Sequence, residues 1–369
     1  MANKKKTVFL TGITGFLGSF LAKELIQKGY KVIGLARGKG NKSAKKRTID
    51  AIRFAYYDNE WNRAKVIRNL KVFEGDIVYP GLGLKRKDRE FLEAETDIIV
   101  HSAAITEANF PINIINKTNV IGTKNILDFG IQCMKGGSLK RIHHISTIFI
   151  VGTSNTTFDE SMLDVGQSFY NTYEQSKFEA EKLVHSYVKR GLNISIFRPS
   201  MIMGDNLTGK TCKFNLFYQP LHYFTKSVFR KYPGNLSSSQ NFININTAAL
   251  AIAILIGREA NDTYHIISPT NTDLDFFWRI AAQTVGFKLP HFIPINKFNF
   301  AELTPVQWLM AKPFMPYFNY RAKFQASKTQ KILKKFNFKF PPIDKSNLIN
   351  IFIYYKKVRS TEQDSINAK

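Results

Sequence analysis

Tyr173 and Lys177 stand four residues apart in the segment Tyr173-Glu174-Gln175-Ser176-Lys177, a spacing that puts both side chains on one face of a helix. A free phenol has a pKa near 10, too weak an acid-base group at neutral pH. A lysine cation within a few ångströms favours the phenolate and brings the pair toward working range. Ser146-Thr147 lies at the end of a β-rich run, with Tyr173 26 residues after Thr147, and a glycine-rich turn stands near the N-terminus. In that order, Thr147, Tyr173 and Lys177 have the composition of a dehydrogenase-type proton-transfer set.

The glycine turn is Thr11-Gly12-Ile13-Thr14-Gly15-Phe16-Leu17-Gly18, a G-x-x-G-x-x-G pattern. It falls between an apolar strand and an amphipathic helix. The backbone of Gly12, Thr14, Gly15, Phe16, Leu17 and Gly18 can therefore approach a pyrophosphate at a helix N-terminus. The second strand selects the dinucleotide, because a free ribose hydroxyl wants a carboxylate at its end and a 2′-phosphate wants a cation. Ala36-Arg37 stands there, with Lys39 and Lys42 just beyond, which favours NADP(H). Asp76, with Ile77 after it in Glu74-Gly75-Asp76-Ile77, is placed either to reach the adenine amino group or to cap a turn. The seven histidines show no metal-ligand spacing, so no metal site is expected. Cys133 reads as a helix-end packing residue and Cys212 as a lid residue.

These groups need a scaffold, and the first 200 residues supply its pattern. Strands are predicted at Thr7–Thr11, Lys31–Ala36, Leu70–Glu74, Asp97–His101, Arg141–Ser146 and Asn193–Phe197. Helices are predicted at Phe16–Lys28, Arg47–Tyr57, Asp88–Glu93, Ile112–Met134 and Tyr173–Lys189. Such alternation implies βαβ units and a parallel sheet, whose ligands sit at the carboxyl ends of the strands. The expected fold is α/β, a Rossmann-type doubly wound parallel sheet with a smaller, interleaved C-terminal substrate-binding region. Residues 1–200 form the NADP-binding domain, 201–359 the capping region with some return to the main domain, and 360–369 a frayed polar tail. Strand-like pieces at Asn241–Ile245 and Thr263–Ile267 flank an apolar helix at Thr247–Ile256.

The chain has 369 residues, 44% hydrophobic and 22% charged, which excludes a disordered or fibrous protein. Two cysteines cannot build a disulfide framework, which suggests a reducing compartment. The longest apolar stretch, Ala248 to Gly257, is far short of the ~20 residues a spanning helix needs. The N-terminal apolar run is cut by Gly12, Gly15 and Gly18 and lacks a cleavage site. A cytoplasmic protein is expected. Fifty-three Lys+Arg against twenty-eight Asp+Glu give a net charge of +25. That balance suits nucleic acid, an anionic membrane, a phosphorylated cofactor or an acidic carrier protein, or is simply a solvated, lysine-rich surface. Thr211–Gly234 and Thr304–Lys323 mix aromatics with cations. They read either as packing of the cap or as an acyl-binding wall on a bent surface segment.

Taken together, the chain resembles an extended short-chain dehydrogenase/reductase from about residue 7 to about 270. That resemblance implies that Thr147 orients the substrate oxygen, Tyr173 exchanges the proton, and Lys177 holds the nicotinamide ribose while tuning Tyr173. It places Ser102, Ala103 and Ala104 in a cofactor-contacting loop, Asn119 as the helix residue that braces the site, and Pro199 and Ser200 in the turn over the nicotinamide. Within that superfamily, TGITGFLG, GDIVYPGLGL, HHIST, FRPSMIMGDNLTG and YHIISP resemble the fatty acyl-CoA reductase and carrier-protein thioester reductase branch. One departure is Asn246, in FININTAA, where an Asp is expected.

The branch implies an NADPH-dependent reductase that converts an acyl thioester of coenzyme A or acyl carrier protein to an aldehyde or alcohol. A homodimer and peripheral membrane contact are compatible with it, and no nucleic-acid partner is expected. One alternative on the same scaffold is a nucleotide-sugar epimerase or dehydratase, or a hydroxysteroid-type dehydrogenase; Ala36-Arg37 counts against the sugar enzymes. Another is a non-catalytic cofactor-binding or nucleic-acid-binding regulator, which the charge invites and the intact Thr147/Tyr173/Lys177 set opposes.

Overall fold

In the computed structural model, which describes residues 5–367 apart from positions 109, 215, 216 and 259, the βαβ alternation forms one seven-stranded sheet. Its strands are β1 (Thr7–Thr11), β2 (Lys31–Ala36), β3 (Leu70–Glu74), β4 (Ile98–His101), β5 (Arg141–Ile145), β6 (Ile194–Pro199) and β7 (Thr263–Ile266). They run parallel in the order β7-β6-β5-β4-β1-β2-β3. β1 has β2 on one side and β4 on the other, so the winding reverses there. At such a switch point the loops diverge and leave a crevice at the strand ends.

The long helices are α1 (Phe16–Gln27), α2 (Ala44–Ala55), α3 (Gly122–Lys135), α4 (Thr172–Val188), α5 (Ile245–Ile256), α6 (Leu274–Val285) and α7 (Lys345–Asn367). Val8 and Leu10 of β1 enter one hydrophobic layer and Phe9 the opposite one, as the period of a strand requires. A sheet apolar on both faces must be covered on both. Leu21 and Leu25 of α1, Ile52 of α2 and Ile252 of α5 cover the first face. Ile126 and Phe129 of α3 and Val184 and Tyr187 of α4 cover the second.

The segment 112–135 is helical throughout, as expected, but changes pitch. Ile112–Asn116 is α-helical, Lys117–Ile121 is π-helical, and α3 continues from Gly122. A π stretch widens one turn and is frequent at functional positions; here it carries Asn119. Beyond residue 200, β7 and α5 return to the main sheet. Ile243 and Leu333 join them there, and most other C-terminal segments pack a second core around Phe217, Phe224, Tyr232, Phe277, Trp278 and Phe318, which also takes in Phe149 and Phe158 from before residue 200. α7 runs through Asn367, so helix occupies residues 360–367, where polar composition suggests fraying. No helix among the described residues is long and apolar enough to cross a membrane.

The turn between β1 and α1 works only with glycine. Gly12 has φ +71°, and a Cβ there would come within 2.6 Å of the Ala103 nitrogen. A Cβ on Gly18 would meet the Gly12 carbonyl oxygen at 2.1 Å. Gly18→Ala must therefore push α1 away from the turn, and it should destabilise the protein by about 1–3 kcal/mol, the scale of an overpacked site. An unchanged denaturant midpoint would contradict this packing.

Candidate active site

The carboxyl ends of β1, β4, β5 and β6 border one cleft. Its walls include Gly12, Gly15, Phe16, Leu17 and Gly18 of the glycine turn, Ser102 and Ala104 after β4, Thr147 after β5, Tyr173 and Lys177 of α4, and Pro199 and Ser200. Thr14, Arg37, Asp76, Ile77, Ala103 and Asn119 lie outside that lining. The C-terminal region closes the cleft with Tyr317, and Lys213 stands on its rim, paired with Glu107 at 2.9 Å.

Gly15 is the N-cap of α1 and offers no side-chain cap to the first-turn amides. Those amides remain available to an anion, and the absent side chains leave the backbone open to it. The turn therefore fits a dinucleotide pyrophosphate. At the end of β2 the Arg37 guanidinium lies 3.2 Å from an Asp76 carboxylate oxygen. Asp76 also accepts the Val78 N–H at 3.2 Å, which is the turn-capping role. The Arg47 guanidinium, from α2, donates to the Arg37 carbonyl. Ile77 is buried in the sheet's second face, packed where a Cβ on Gly122 would collide with it.

Polar side chains lock the strand ends together. The Thr123 hydroxyl donates to the Asn119 carbonyl at 2.6 Å, so it accepts from His101 Nε2 at 3.0 Å. His101 Nδ1 is then bare and accepts the Thr11 hydroxyl at 2.8 Å. Thr11 in turn accepts the Ala103 N–H at 3.3 Å. Burial, and secondarily the nearby Lys177 charge, hold His101 down at about 3, so this chain keeps one proton arrangement at neutral pH. Asn119 grips the following loop through Ile105 N (2.8 Å) and O (2.9 Å) and donates to Ser176 Oγ at 2.9 Å. It braces the turn that carries Tyr173 and Lys177 without lining the cleft.

Tyr173 and Lys177 depart from the expectation of a lysine-lowered phenol. Burial, with a smaller push from the Glu174 charge, raises Tyr173 to about 12, against the pull of the Thr147 hydroxyl. Lys177 Nζ is turned to the Ile145 carbonyl at 2.6 Å and to His144 Nε2 at 3.4 Å. Burial depresses Lys177 to about 8, partly countered by Glu181. Desolvation thus dominates both groups, and the lysine cation is spent on a strand-end carbonyl. Thr147 sits between the two elements, accepting the Phe149 N–H at 3.3 Å and facing the Pro199 carbonyl at 3.4 Å.

Two buried acids complete the site. Glu181, four residues after Lys177, meets Arg198 Nε at 3.0 Å and Nη2 at 2.5 Å, with both side chains sealed from solvent. Burial alone would raise Glu181, but the guanidinium holds it at about 2. Glu174, directly after Tyr173, accepts the Tyr317 hydroxyl at 2.7 Å and the Tyr170 N–H at 3.0 Å. Burial raises it to about 7 against those hydrogen bonds. The sequence marks only their positions: the i,i+4 spacing of Lys177 and Glu181 puts them on one helix face, and Asn171 followed by Glu174 has the N-cap spacing of a helix start. Tyr317 carried no such mark.

The aromatic-cationic stretches are mostly packing. Phe217, Tyr218, Phe224, Phe229 and Tyr232 are buried, as are Met315, Tyr317, Phe318 and Tyr320; the segment 304–323 is thus only partly a surface. Val306, Trp308 and Leu309 remain exposed. Asn246 exchanges two hydrogen bonds with Asn206, accepting its N–H at 3.2 Å and donating to its Oδ1 at 2.5 Å. An aspartate could not make the second.

The Glu181–Arg198 pair generates a test. Glu181→Gln leaves a buried cation without its counter-charge, which should cost about 3–5 kcal/mol. Glu181 is held below its ordinary 4.5, so its contribution is present above that pH and lost as pH falls toward 2. Wild type should lose stability more steeply than Glu181→Gln across that window; parallel acid-unfolding curves would contradict the pairing.

Residues 10–252 match the family described as male sterility protein. The chain is 30% identical over 293 residues to one polypeptide of the linear gramicidin synthase of Brevibacillus parabrevis, covering 77% of this chain and 6% of that protein. It is 28% identical over 273 residues to a carboxylic acid reductase of Segniliparus rugosus, covering 69% of this chain and 20% of that protein. The chain thus spans a small part of either relative. A thiolation-reductase di-domain from an archaeal non-ribosomal peptide synthetase superposes with a TM-score of 0.80 at 24% identity, covering 97% of this chain and 76% of that one, which establishes the fold. The parallel sheet and its strand order agree with that assignment: the chain belongs to the male sterility protein family, NAD(P)-dependent oxidoreductases of the extended short-chain dehydrogenase/reductase kind.

Proposed function

We propose that this protein reduces an acyl thioester to an aldehyde with NADPH as reductant. The observation that carries the reading is the single cleft in which the Thr147 hydroxyl, the Tyr173 phenol and the Lys177 ammonium meet the glycine turn, under a wall from the C-terminal region. The similarity to a carboxylic acid reductase and to a thiolation-reductase di-domain supports an activated acyl group as substrate. The family assignment supports NAD(P); the Arg37 cation at the end of β2, with Arg47 behind it, supports the 2′-phosphorylated form.

The glycine turn and the first-turn amides of α1 would hold the pyrophosphate, and Lys177 with Pro199 and Ser200 would flank the nicotinamide end. The bound cofactor supplies a hydride to the thioester carbonyl carbon. Thr147 and Tyr173 orient the carbonyl oxygen and stabilise the charge that develops on it. A phenol at about 12 is protonated at neutral pH, so Tyr173 is ready to donate its proton to that oxygen. Return of that proton restores the carbonyl, the carbon–sulfur bond breaks, and the thiol leaves with a proton from solvent. No nucleophilic cysteine enters this sequence. Cys133 is buried and pushed up to about 12.

The test is NADPH oxidation against acyl-CoAs and acyl-carrier proteins, with products identified by mass spectrometry. Tyr173→Phe should lower turnover by ~10²-fold or more and leave cofactor binding intact; wild-type turnover in that variant would overturn the assignment. Arg37→Ala should weaken NADPH by about 1–3 kcal/mol, the scale of a charge-assisted hydrogen bond, and leave NADH unchanged. Equal affinity of the wild type for both cofactors would remove the basis for NADPH. Lys177, depressed to about 8, loses its charge as pH rises through that value, so kcat/KM should fall there.

A further inference from the structure

We propose that Tyr317 is a positioning residue of this site: its hydroxyl, held by Glu174 and Asn171, clamps the C-terminal region onto the first turn of α4 and thereby fixes Tyr173 and the acyl side of the cleft. The inference rests on the thioester-reductase reading and adds to it a residue outside the Thr147/Tyr173/Lys177 set.

The geometry is specific. Tyr317 lies in the 3₁₀ turn Met315–Phe318, remote in sequence from α4, and is 3% exposed. Its hydroxyl donates to Glu174 Oε1 at 2.7 Å and accepts from Asn171 Nδ2 at 2.8 Å. Asn171 is also the N-cap of α4, with its Oδ1 accepting the Glu174 N–H at 3.0 Å. The other Glu174 oxygen takes the Tyr170 N–H. The two side chains that close the helix start therefore also hold the phenol. The ring is fixed independently: it packs edge-on to Phe149 at 5.6 Å and stacks on Tyr320 at 6.0 Å. Gln240 Nε2 donates to its carbonyl at 2.5 Å. Phe149 and Tyr317 both line the cleft.

A buried carboxyl beside the catalytic tyrosine is unfavourable unless it is well paired. As a carboxylate, Glu174 accepts a charge-assisted bond from the phenol. Once protonated, Glu174 accepts only as a neutral carboxyl, and the bond from the Tyr317 O–H loses its charge assistance. The clamp is thus strong above the Glu174 pKa of about 7 and weak below it. The groups facing Glu174 are the phenols of Tyr170, Tyr173, Tyr317 and Tyr320, all pushed upward and neutral here. Arg321 acts on Tyr170. His101 at about 3 and His144 well below 6.5 stay neutral through this range.

The experiment compares wild type, Tyr317→Phe, Glu174→Gln and Tyr173→Phe across pH 5.5–9 in kcat/KM for a thioester, in NADPH affinity by fluorescence titration and in Tm. Wild-type kcat/KM should rise with pH through about 7. Tyr317→Phe should lose about tenfold at the maximum between pH 7 and 8 and lose the limb near 7, because no phenol is left for the carboxylate to hold, while NADPH affinity is unchanged. Glu174→Gln should have no limb near 7. Glu174 is raised from 4.5, so it binds more protons folded than unfolded and its contribution to stability declines as pH rises to about 7. Glu174→Gln should remove that decline and Tyr317→Phe extend it upward. A wild-type pH limb and Tm trend in Tyr317→Phe overturn the clamp, whatever Tyr173→Phe does. Absence of thioester-dependent oxidation in wild type, with the Tm trends as stated, overturns the thioester reading and leaves the contact standing.

Discussion

Arg198 and Glu181 are both withdrawn from water, one near the end of β6 and the other on the helix that carries Tyr173 and Lys177. Neither charge could stay there alone, since an unpaired buried ion costs several kcal/mol. Their pairing fixes how far α4 sits from the end of β6, and so how far Tyr173 and Lys177 sit from Pro199 and Ser200. The same guanidinium donates to the Met162 carbonyl at 2.7 Å and contacts His265 Nε2 at 3.2 Å. One cation thus joins α4, β6, β7 and the loop after β5. Replacing the pair with well-packed apolar groups could preserve stability, but the bidentate contact and its registry would be lost.

A second set of polar contacts acts at the opposite side of the cleft. The Thr11–His101–Thr123 chain joins the strand before the glycine turn to β4 and to α3, and Asn119 passes the constraint to Ser176, between Tyr173 and Lys177. The π stretch at Lys117–Ile121 sets the pitch at which Asn119 presents its amide to the loop after β4. These networks are fully hydrogen-bonded inside a low-dielectric interior, where each bond is stronger and each omission more costly than in water. Their effect is a preorganised cleft, with neutral histidines around a lysine whose cation is already weakened by burial.

The C-terminal region contributes shape more than charge. Its rings interlock, as in the Trp278–Phe318 stack at 5.7 Å and the edge-on Phe224–Trp278 pair at 5.0 Å. Tyr317 carries that rigidity to the cleft. Much of the basic surface near β2 is paired locally: Lys42 and Lys46 both meet Asp50, and Arg53 meets Asp58. Exposed pairs of this kind contribute little stability. They do reduce the free charge, and Arg37 stays largely exposed just past the end of β2, beside Asp76.

The sheet was legible because its information is local. Fully apolar strands such as Val8–Leu10 and glycines at the fixed turn positions 12, 15 and 18 specify a doubly wound parallel sheet without reference to distant residues. The i,i+4 placement of Tyr173 and Lys177 follows from helix pitch alone. Tertiary structure decided what depends on the meeting of remote segments. The burial that lifts Tyr173 and depresses Lys177 exists only once α4 is docked, so the expected lysine-assisted phenol could not be tested by spacing. Glu174 and Glu181 look like ordinary helix-surface acids until Tyr317 and Arg198, from segments distant along the chain, reach them. Helix periodicity says which side a residue faces; what charge or hydroxyl waits on that side is set by the fold.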